Sequence, residues 1–389
     1  MVEFSEIIDK NSLEGWFCSQ MVENRVASAS FIAERTAMRV APLFWASFPS
    51  PIQKNLEDMR AWRLFSCTRI AAIRPRLEIP LLVQMSTLDF AKSRDGDPRG
   101  DYAGQAGVYA NAIGKLDSEN AVKSAALSVL EAAETNHQRI WDSVRSDAGL
   151  FCGTHVLYEI FPLWSENTSN PFEEDWRKVE AALNATMHPE NWGFWIDWYQ
   201  AQLDGRPMLP DNDAHWDMLA EIFEVSDTSR FQEEDWKKGA DHINPLIREI
   251  YERWQLLGEV KEIQDALKNI RQLMLDYERR QHNLPEAMRE EPTELTARYA
   301  FLSDRLEEIE AELDTPKPDF PKLRALASGL WEAIEALGNY CKKLGDAAAM
   351  KAAGTIGVGA GGYALDNLLL NGRLTEFATR LLQFASGGP

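Results

Sequence analysis

The chain has 389 residues and a net charge of −20, with 45% hydrophobic and 26% charged residues. This composition is typical of a globular protein with two or three domains, each with its own core. The acidic excess disfavours non-specific nucleic-acid binding, because the protein would repel the phosphates.

Residues 1–150 are predicted to form an N-terminal helical domain. Long stretches rich in Ala, Leu and Glu occur without the alternating β-branched runs that build a sheet, which favours an all-α fold for the chain. The predicted helices are 12–22, 24–47, 54–73, 78–93, 101–114 and 118–148. Asp117, directly before Ser118, is a suitable N-cap for the last of these helices.

The helix over 24–47 carries arginines between apolar residues. Phe31, Val40 and Leu43 form one apolar stripe, which predicts a helix half buried in a bundle. A wider stretch, residues 25–76, holds nine basic residues: Arg25, Arg35, Arg39, Lys54, Arg60, Arg63, Arg69, Arg74 and Arg76. These residues could form a solvated face, dock on the acidic middle of the chain, or bind an anionic partner.

Residues 151–245 are predicted to form a Trp-rich, acidic helical region. Nine of the thirteen tryptophans lie between Trp141 and Trp254, and most of the negative charge excess is in this region. Its prolines are expected to divide it into short helices: Pro162, Pro171, Pro189, Pro207, Pro210 and Pro245. Two similar stretches, 172–178 and 231–238, place a Phe, several acids and a Trp in the same order, which predicts two helix starts.

One aromatic cluster in this region is the best candidate for a ligand site. On a helix Trp192, Trp195 and Tyr199 would share a face, and Asp197 lies between them in sequence. Aromatic rings beside a carboxylate could bind a flat or cationic ligand. The more frequent alternative is an aromatic core plate whose indole N–H groups find local acceptors.

Residues 246–345 have the most regular pattern. Apolar residues alternate in steps of four and three, which predicts an antiparallel three-helix coiled-coil bundle with short connections. The predicted core positions are Leu256, Val260, Ile263, Leu267, Ile270, Met274, Tyr277, Leu295, Tyr299, Leu302, Leu306, Ile309, Leu313, Leu323, Leu326, Leu330, Ala333, Leu337, Tyr340 and Leu344.

Residues 346–389 are predicted to form a Gly/Ala-rich helix or tail. Small residues recur at every fourth position, at Ala349, Ala353, Gly357 and Gly361, and we call these four residues the ladder. Glycine is a poor helix former in water, so the ladder predicts a packing partner that approaches closely. The partner could be a second copy, a membrane, or the protein's own bundle. A final amphipathic segment, up to residue 386, could lie on a bilayer or close the bundle.

No motif for bond chemistry stands out. The six histidines do not cluster, and the phosphate-binding and nucleophile motifs sought in the sequence are missing. The four cysteines, Cys18, Cys67, Cys152 and Cys341, are widely spaced, which predicts reduced thiols in a cytoplasmic protein. No cofactor or metal is indicated, no signal peptide is expected, and a non-enzymatic role is favoured while an enzymatic one stays open.

Four stretches also stand out by their order and spacing. They are Ile32–Leu43, then Pro162-Leu163-Trp164, then W-x-D-W-Y-x-x-x-L-x-G from Trp195 to Gly205, and then Trp236-x-x-Gly239-x-x-x-x-Asn244-x-x-Ile247. Together they resemble a family of uncharacterised helical proteins from proteobacteria, over roughly residues 15–250. The resemblance implies a bacterial, helical, non-secreted protein and assigns no activity.

Three functions follow as expectations. The first is a non-enzymatic bacterial assembly or effector protein that acts through helical contacts and uses the ladder to form a homo-oligomer or to meet membrane lipid through residues 347–386. The second is a soluble adaptor whose tail packs on its own bundle. The third is a small-molecule binder or enzyme that uses the aromatic cluster around Asp197. The protein partner is not identified by the sequence.

Overall fold

The computed structural model describes most of the chain. The described residues are 3–46, 98–113, 116–153, 160–165, 169–224, 230–281, 293–344 and 372–387, together with Met59, Trp62, Arg63, Phe65, Ser66 and Ile70. Within these residues the regular structure is helical and no strand occurs, which confirms the all-α prediction.

Thirteen α-helices lie in the described part of the chain, and they are numbered here in chain order. They are α1 (Lys10–Ser19), α2 (Val22–Ala46), α3 (Pro98–Ala112), α4 (Ser118–Ala133), α5 (His137–Gly153), α6 (Glu173–Asn184), α7 (Gly193–Asp204), α8 (Asn212–Phe223), α9 (Glu233–Trp236), α10 (Ala240–Gln281), α11 (Thr293–Leu313), α12 (Phe320–Leu344) and α13 (Arg373–Ala385). Two 3₁₀ turns span Phe4–Glu6 and Pro189–Trp192.

The chain divides into two compact units, residues 1–248 and residues 249–389. The predicted N-terminal domain and Trp-rich region both belong to the first unit, and the predicted bundle and tail both belong to the second. Pro245 does not end a helix as expected, because it lies inside α10. It stands near the start of that helix, where its missing N–H removes one backbone hydrogen bond.

Helix α2 is the central helix of the first unit. Every residue from Ser28 to Trp45 is buried, so the prediction of a half-buried helix is wrong. The helix contacts α1, α3, α4, α5 and α6. The prediction failed because charged side chains usually mark a solvent-facing side, whereas Arg35 and Arg39 have fixed partners inside the protein.

The helix predicted over 118–148 is in fact two helices, α4 and α5. They are separated at the polar residues Thr135 and Asn136, whose side chains bond to nearby backbone groups at 2.6 Å and 3.4 Å. Such local bonds compete with the helical ladder and end one helix before the next begins. The predicted N-cap is confirmed, since the Asp117 carboxylate accepts a backbone N–H of α4 at 2.9 Å.

The two similar stretches of the Trp-rich region both begin helices, as predicted. Glu173 opens α6 and Glu233 opens α9, each with acids in the first turn or at its edge. In the second stretch the buried rings of Phe231 and Trp236 flank the helix start, with centroids 6.0 Å apart. Apolar residues on both sides of an N-cap fix the direction in which the chain enters a helix.

The second unit has one apolar core to which α10, α11 and α12 contribute. Eleven predicted heptad positions are buried in it: Leu256, Val260, Ile263, Leu267, Leu302, Leu306, Ile309, Leu313, Leu323, Leu326 and Leu330. The predicted apolar stripes are therefore present at these positions. The antiparallel coiled-coil geometry stays a prediction.

Helix α13 is a fourth contributor to this core. Its buried residues are Leu374, Phe377, Ala378, Leu381, Phe384 and Ala385. Of the two places predicted for this amphipathic segment, the structure has it closing the bundle. The three-helix prediction did not include it, because an amphipathic pattern does not distinguish a protein core from a membrane surface.

Candidate functional site

The four stretches that carry the family resemblance meet in the first unit. Helix α2 is bonded to the irregular segment 161–164, and this segment lies against the end of α7. Helix α7 in turn bonds to α2 and to the first turns of α10. The motif residues therefore build one buried cluster with a charged centre and an aromatic side.

At the charged centre, the carboxylate of Asp147 lies between two guanidinium groups of α2. Arg35 donates from Nε to Oδ1 at 2.9 Å. Arg39 donates from Nη1 to Oδ2 at 2.5 Å and from Nη2 to Oδ1 at 2.8 Å. All three side chains are at most 2% exposed. The two arginines are four residues apart and so share a helix face, and the bidentate pair is the stronger kind of charge-assisted contact.

The buried positive charges of this centre are compensated by buried acids of the same centre. Burial alone would raise the pKa of Asp147, but the charges and hydrogen bonds of Arg35 and Arg39 outweigh it and hold the pKa below its usual range. Burial lowers the pKa of Arg39, and Asp147 opposes that shift. Glu34, also buried, adds negative charge that favours the charged form of Arg39. Removing one acid would leave uncompensated positive charge in the interior.

The same arginines bind three consecutive backbone carbonyls. Arg35 donates to the carbonyls of Phe161 at 2.9 Å and Pro162 at 2.5 Å. Arg39 donates from Nε to the carbonyl of Leu163 at 2.7 Å. This segment has no regular structure of its own, so side chains of α2 satisfy polar groups that a helix or sheet would otherwise satisfy.

Gly205 lets α7 approach this segment. It ends α7 in the left-handed conformation, with φ 66°. A Cβ atom at this position would lie 2.1 Å from the backbone nitrogen of Pro162. The N–H of Leu163 donates to the carbonyl of Gln202 at 3.2 Å, which fixes the approach. Glycine alone fits such a position without strain or overlap.

Aromatic rings form the other side of the cluster. Trp45 and Trp62 stack with centroids 4.2 Å apart and planes at 17°. Tyr199 lies edge-on to Trp45 at 5.3 Å, and Trp195 is 5.4 Å from Trp62. Such ring pairs add stability beyond the area they bury.

Two of these aromatic residues also have fixed hydrogen bonds. The indole N–H of Trp195 donates to Oδ1 of Asn244 at 2.9 Å. The hydroxyl of Tyr199 donates to the carbonyl of Met38 at 3.2 Å. Burial raises the pKa of Tyr199 well above its usual value, so its hydroxyl stays protonated and can donate. These contacts match an aromatic core rather than an open ligand pocket.

The predicted ligand site is not assembled. Trp192, Trp195 and Tyr199 are buried together, at most 4% exposed, but Asp197 is exposed. A residue two positions along a helix points about 200° away from its neighbour, so the sequence position of Asp197 between the aromatics places it on the other side of α7. The structure therefore does not bring this carboxylate and the rings together on one side of α7, and ligand binding at these residues stays a prediction.

The basic stretch is not a surface patch at the arginines that the structure describes with side chains. Arg35, Arg39 and Arg63 are at most 2% exposed, and Arg63 lies over the ring of Trp236 at 4.6 Å. Arg25 donates to the backbone carbonyls of Cys18 and Gln20 at the end of α1. These four side chains thus bind the protein itself. The other five basic residues lie outside the described residues.

The ladder residues Ala349, Ala353, Gly357 and Gly361 also lie outside the described residues. Among the helices that are described, none is long and apolar enough to cross a membrane. Within the same residues, no three His, Cys, Asp or Glu side chains come close enough to hold a metal ion. Cys18 is a free, exposed thiol.

Sequence reasoning missed Asp147 and the role of Gly205. The available signal was the pair Arg35 and Arg39, four residues apart in an apolar stripe, because two buried charges on one face need partners. Asp147 lies 108 residues from Arg39, so no local pattern could have identified it as that partner. The sequence suggests that Gly205 ends a helix, whereas its contact with Pro162 arises only in the folded chain.

Comparison with protein-family models, with curated proteins and with solved structures finds no significant match for this chain. The resemblance to the proteobacterial helical proteins therefore stays a prediction.

Proposed function

We propose that this chain is a non-enzymatic bacterial assembly or effector protein that acts through helical protein contacts, with the ladder as its self-association or membrane contact. One observation carries the proposal: α13 is part of the core of the second unit. The ladder therefore lies in the chain between two helices, α12 and α13, that share this core. Because both ends of this segment are attached to one bundle, the bundle can present the ladder to a second copy or to a membrane.

The composition of the ladder supports a partner. Each glycine costs about 1 kcal/mol relative to alanine in a solvated helix. Small residues at every fourth position let a second backbone approach closely, which is a common association face between membrane helices and also serves between soluble helices. A cytoplasmic location with the ladder at a membrane or a second copy is part of the proposal.

The docking of α13 limits the contact region that we propose. The apolar face of α13 is buried, and two of its arginines pair with acids of α10. A bilayer would have to compete with these contacts. The proposed lipid or self-contact is therefore residues 347–371, a smaller part of the 347–386 region expected from sequence.

We expect Gly357→Leu and Gly361→Leu to weaken assembly while the bundle stays folded, because a bulky side chain keeps backbones apart. Light scattering should show masses falling towards the 44.1 kDa of one chain, and flotation with liposomes should decrease. Gly359→Leu is the matched control, since on a helix it points about 200° away from Gly357. Unchanged masses and flotation in both ladder variants would refute the proposal.

A second candidate is a soluble adaptor whose tail packs on its own bundle. The docking of α13 favours it, because part of the tail is already in the core. In this case the tail stabilises the bundle and has no lipid or oligomer role.

The adaptor candidate predicts that a chain truncated after residue 345 has a lower thermal unfolding midpoint. Phe377→Ala in the full-length chain should lower the midpoint in the same way, since it removes a buried ring while the ladder stays present. If truncation alone abolishes flotation or oligomers, the ladder has a role of its own. If the truncated chain unfolds at the wild-type midpoint, the adaptor candidate fails.

A further inference from the structure

The aromatic side of the buried cluster in the first unit contains side-chain donors that lack acceptors. In the part of the chain that the structure describes, four such N–H groups are buried there without a hydrogen-bond partner: Nε1 of Trp45, Trp62 and Trp236, and Nδ2 of Asn244. Their residues are at most 2% exposed. A buried donor without an acceptor has given up its bonds to water and has gained none in return, so each of these groups costs stability until an acceptor reaches it.

The four residues belong to one connected group of rings. Trp62 stacks on Trp45 at 4.2 Å and lies 5.4 Å from Trp195. Phe223 lies 6.0 Å from Trp195 and stacks on Trp236, with centroids 5.7 Å apart and planes at 19°. The unpaired donors therefore share one apolar, aromatic surrounding. We call this group the donor cluster: Trp45, Trp62, Trp195, Phe223, Trp236 and Asn244.

The hydrogen-bonding chemistry of the donor cluster is one-sided. An indole offers an N–H and no acceptor. The side-chain oxygen of Asn244 already accepts the N–H of Trp195 at 2.9 Å. A water molecule would accept from one or two of the free donors, but it would add two O–H donors to a group that needs acceptors. Carbonyl oxygens on a flat molecule would satisfy the donors while its body packs against the rings, and a neutral molecule is buried at a lower cost than an ion.

We propose that the donor cluster binds a flat, neutral molecule that carries carbonyl oxygens and has no donors of its own. Asp197 is exposed and has no part in this site, so the chemistry differs from the cationic ligand expected when that carboxylate was grouped with the rings. The inference goes beyond the proposed assembly function and does not depend on the ladder.

Titration of the full-length chain with N-methylphthalimide tests the site. This probe is flat and neutral, with two carbonyl oxygens and no N–H or O–H group. Indane is the matched compound, since it has the same fused ring skeleton without the carbonyl oxygens. We expect saturable binding of the imide by calorimetry and a higher thermal unfolding midpoint in its presence, with neither effect from indane. Trp62→Phe keeps an aromatic ring and removes one donor, so it should weaken imide binding about tenfold, the loss expected for one hydrogen bond.

Trp141→Phe is the matched control variant. Trp141 on α5 is 3% exposed, and its N–H also has no partner among the described residues, but it lies outside the donor cluster. This variant should bind the imide as wild type does. If Trp62→Phe does not fold, Trp236→Phe makes the same change at the other end of the cluster. Gly357→Leu should bind the imide normally, so failure of the ladder proposal and failure of this site are separate results.

Three outcomes would overturn the site. The first is wild-type protein that shows no saturable binding of the imide, and the second is binding of indane as strong as that of the imide. The third is an equal loss of affinity in Trp62→Phe and Trp141→Phe, since a loss that does not depend on the position of the removed donor cannot come from the donor cluster.

Discussion

Replacing Asp147 with asparagine is expected to lower the free energy of unfolding of the first unit by about 3–5 kcal/mol, the cost of removing one partner from a buried ion pair. The carboxylate is 1% exposed and binds both Arg35 and Arg39. Asparagine would keep one acceptor oxygen but would place N–H groups against a guanidinium. Urea unfolding followed by tryptophan fluorescence is a suitable measurement, because only Trp254 and Trp331 lie in the second unit.

The matched control is Asp142→Asn on the same helix. Asp142 pairs with Arg145 but is 42% exposed, so its loss should cost less than about 1 kcal/mol. Equal costs for the two variants would show that the buried centre is not a stabilising contact.

The pH dependence follows from the same group. The folded pKa of Asp147 is lowered, so its contribution to stability is present above its unfolded pKa of about 4 and is lost as the pH falls through the folded pKa. The difference in the free energy of unfolding between wild type and Asp147→Asn should therefore be constant above about pH 5 and should shrink below about pH 4. Unfolding midpoints at pH 7, 5, 4 and 3 measure it. A difference that grows in acid would contradict the assigned direction of the pKa shift.

Gly205→Ala is expected to destabilise the first unit by about 2–5 kcal/mol. About 1–2 kcal/mol comes from placing alanine in the left-handed conformation, and about 1–3 kcal/mol comes from overpacking. The added Cβ would overlap backbone atoms of Pro162, which cannot turn away as a flexible side chain can. The carbonyl segment bound by Arg35 and Arg39 would have to shift as well. Urea unfolding of the variant measures the cost.

Gly193→Ala at the opposite end of α7 is the matched control. Apart from its own helix backbone and its chain neighbours, its added Cβ would meet no heavy atom within 4 Å, and the backbone there is helical. Alanine is favoured over glycine in a helix by about 0.5–1 kcal/mol, so this variant should be neutral or slightly more stable. If both variants lost the same free energy of unfolding, the loss at Gly205 could not be assigned to its contact with Pro162.

The helices of the second unit could be predicted well, because their signal is local. A step of four and three residues records which side of a helix is apolar, and the described positions from Leu256 to Leu330 follow it. The start of α4 at Asp117 and the acid-rich starts of α6 and α9 depend on groups within one turn. Each of these features needs only neighbours in sequence.

The errors concern features that depend on distant residues. Helix α2 was expected to be half buried, because Arg35 and Arg39 have no visible partner within their own segment. Their partner is Asp147 on α5. Asp197 was grouped with the aromatic residues from sequence proximity, although helical geometry places it on the exposed side.

The all-α class, the apolar stripes of the bundle and the amphipathic character of α13 can be read from the sequence, since helical periodicity and capping are local properties of a chain. The folded structure was needed to show that α13 joins the bundle core and that the four resembling stretches meet in the first unit. A charge or an apolar face is buried favourably only where the fold brings an opposite charge or another apolar surface against it, and that partner can be a hundred residues away in sequence.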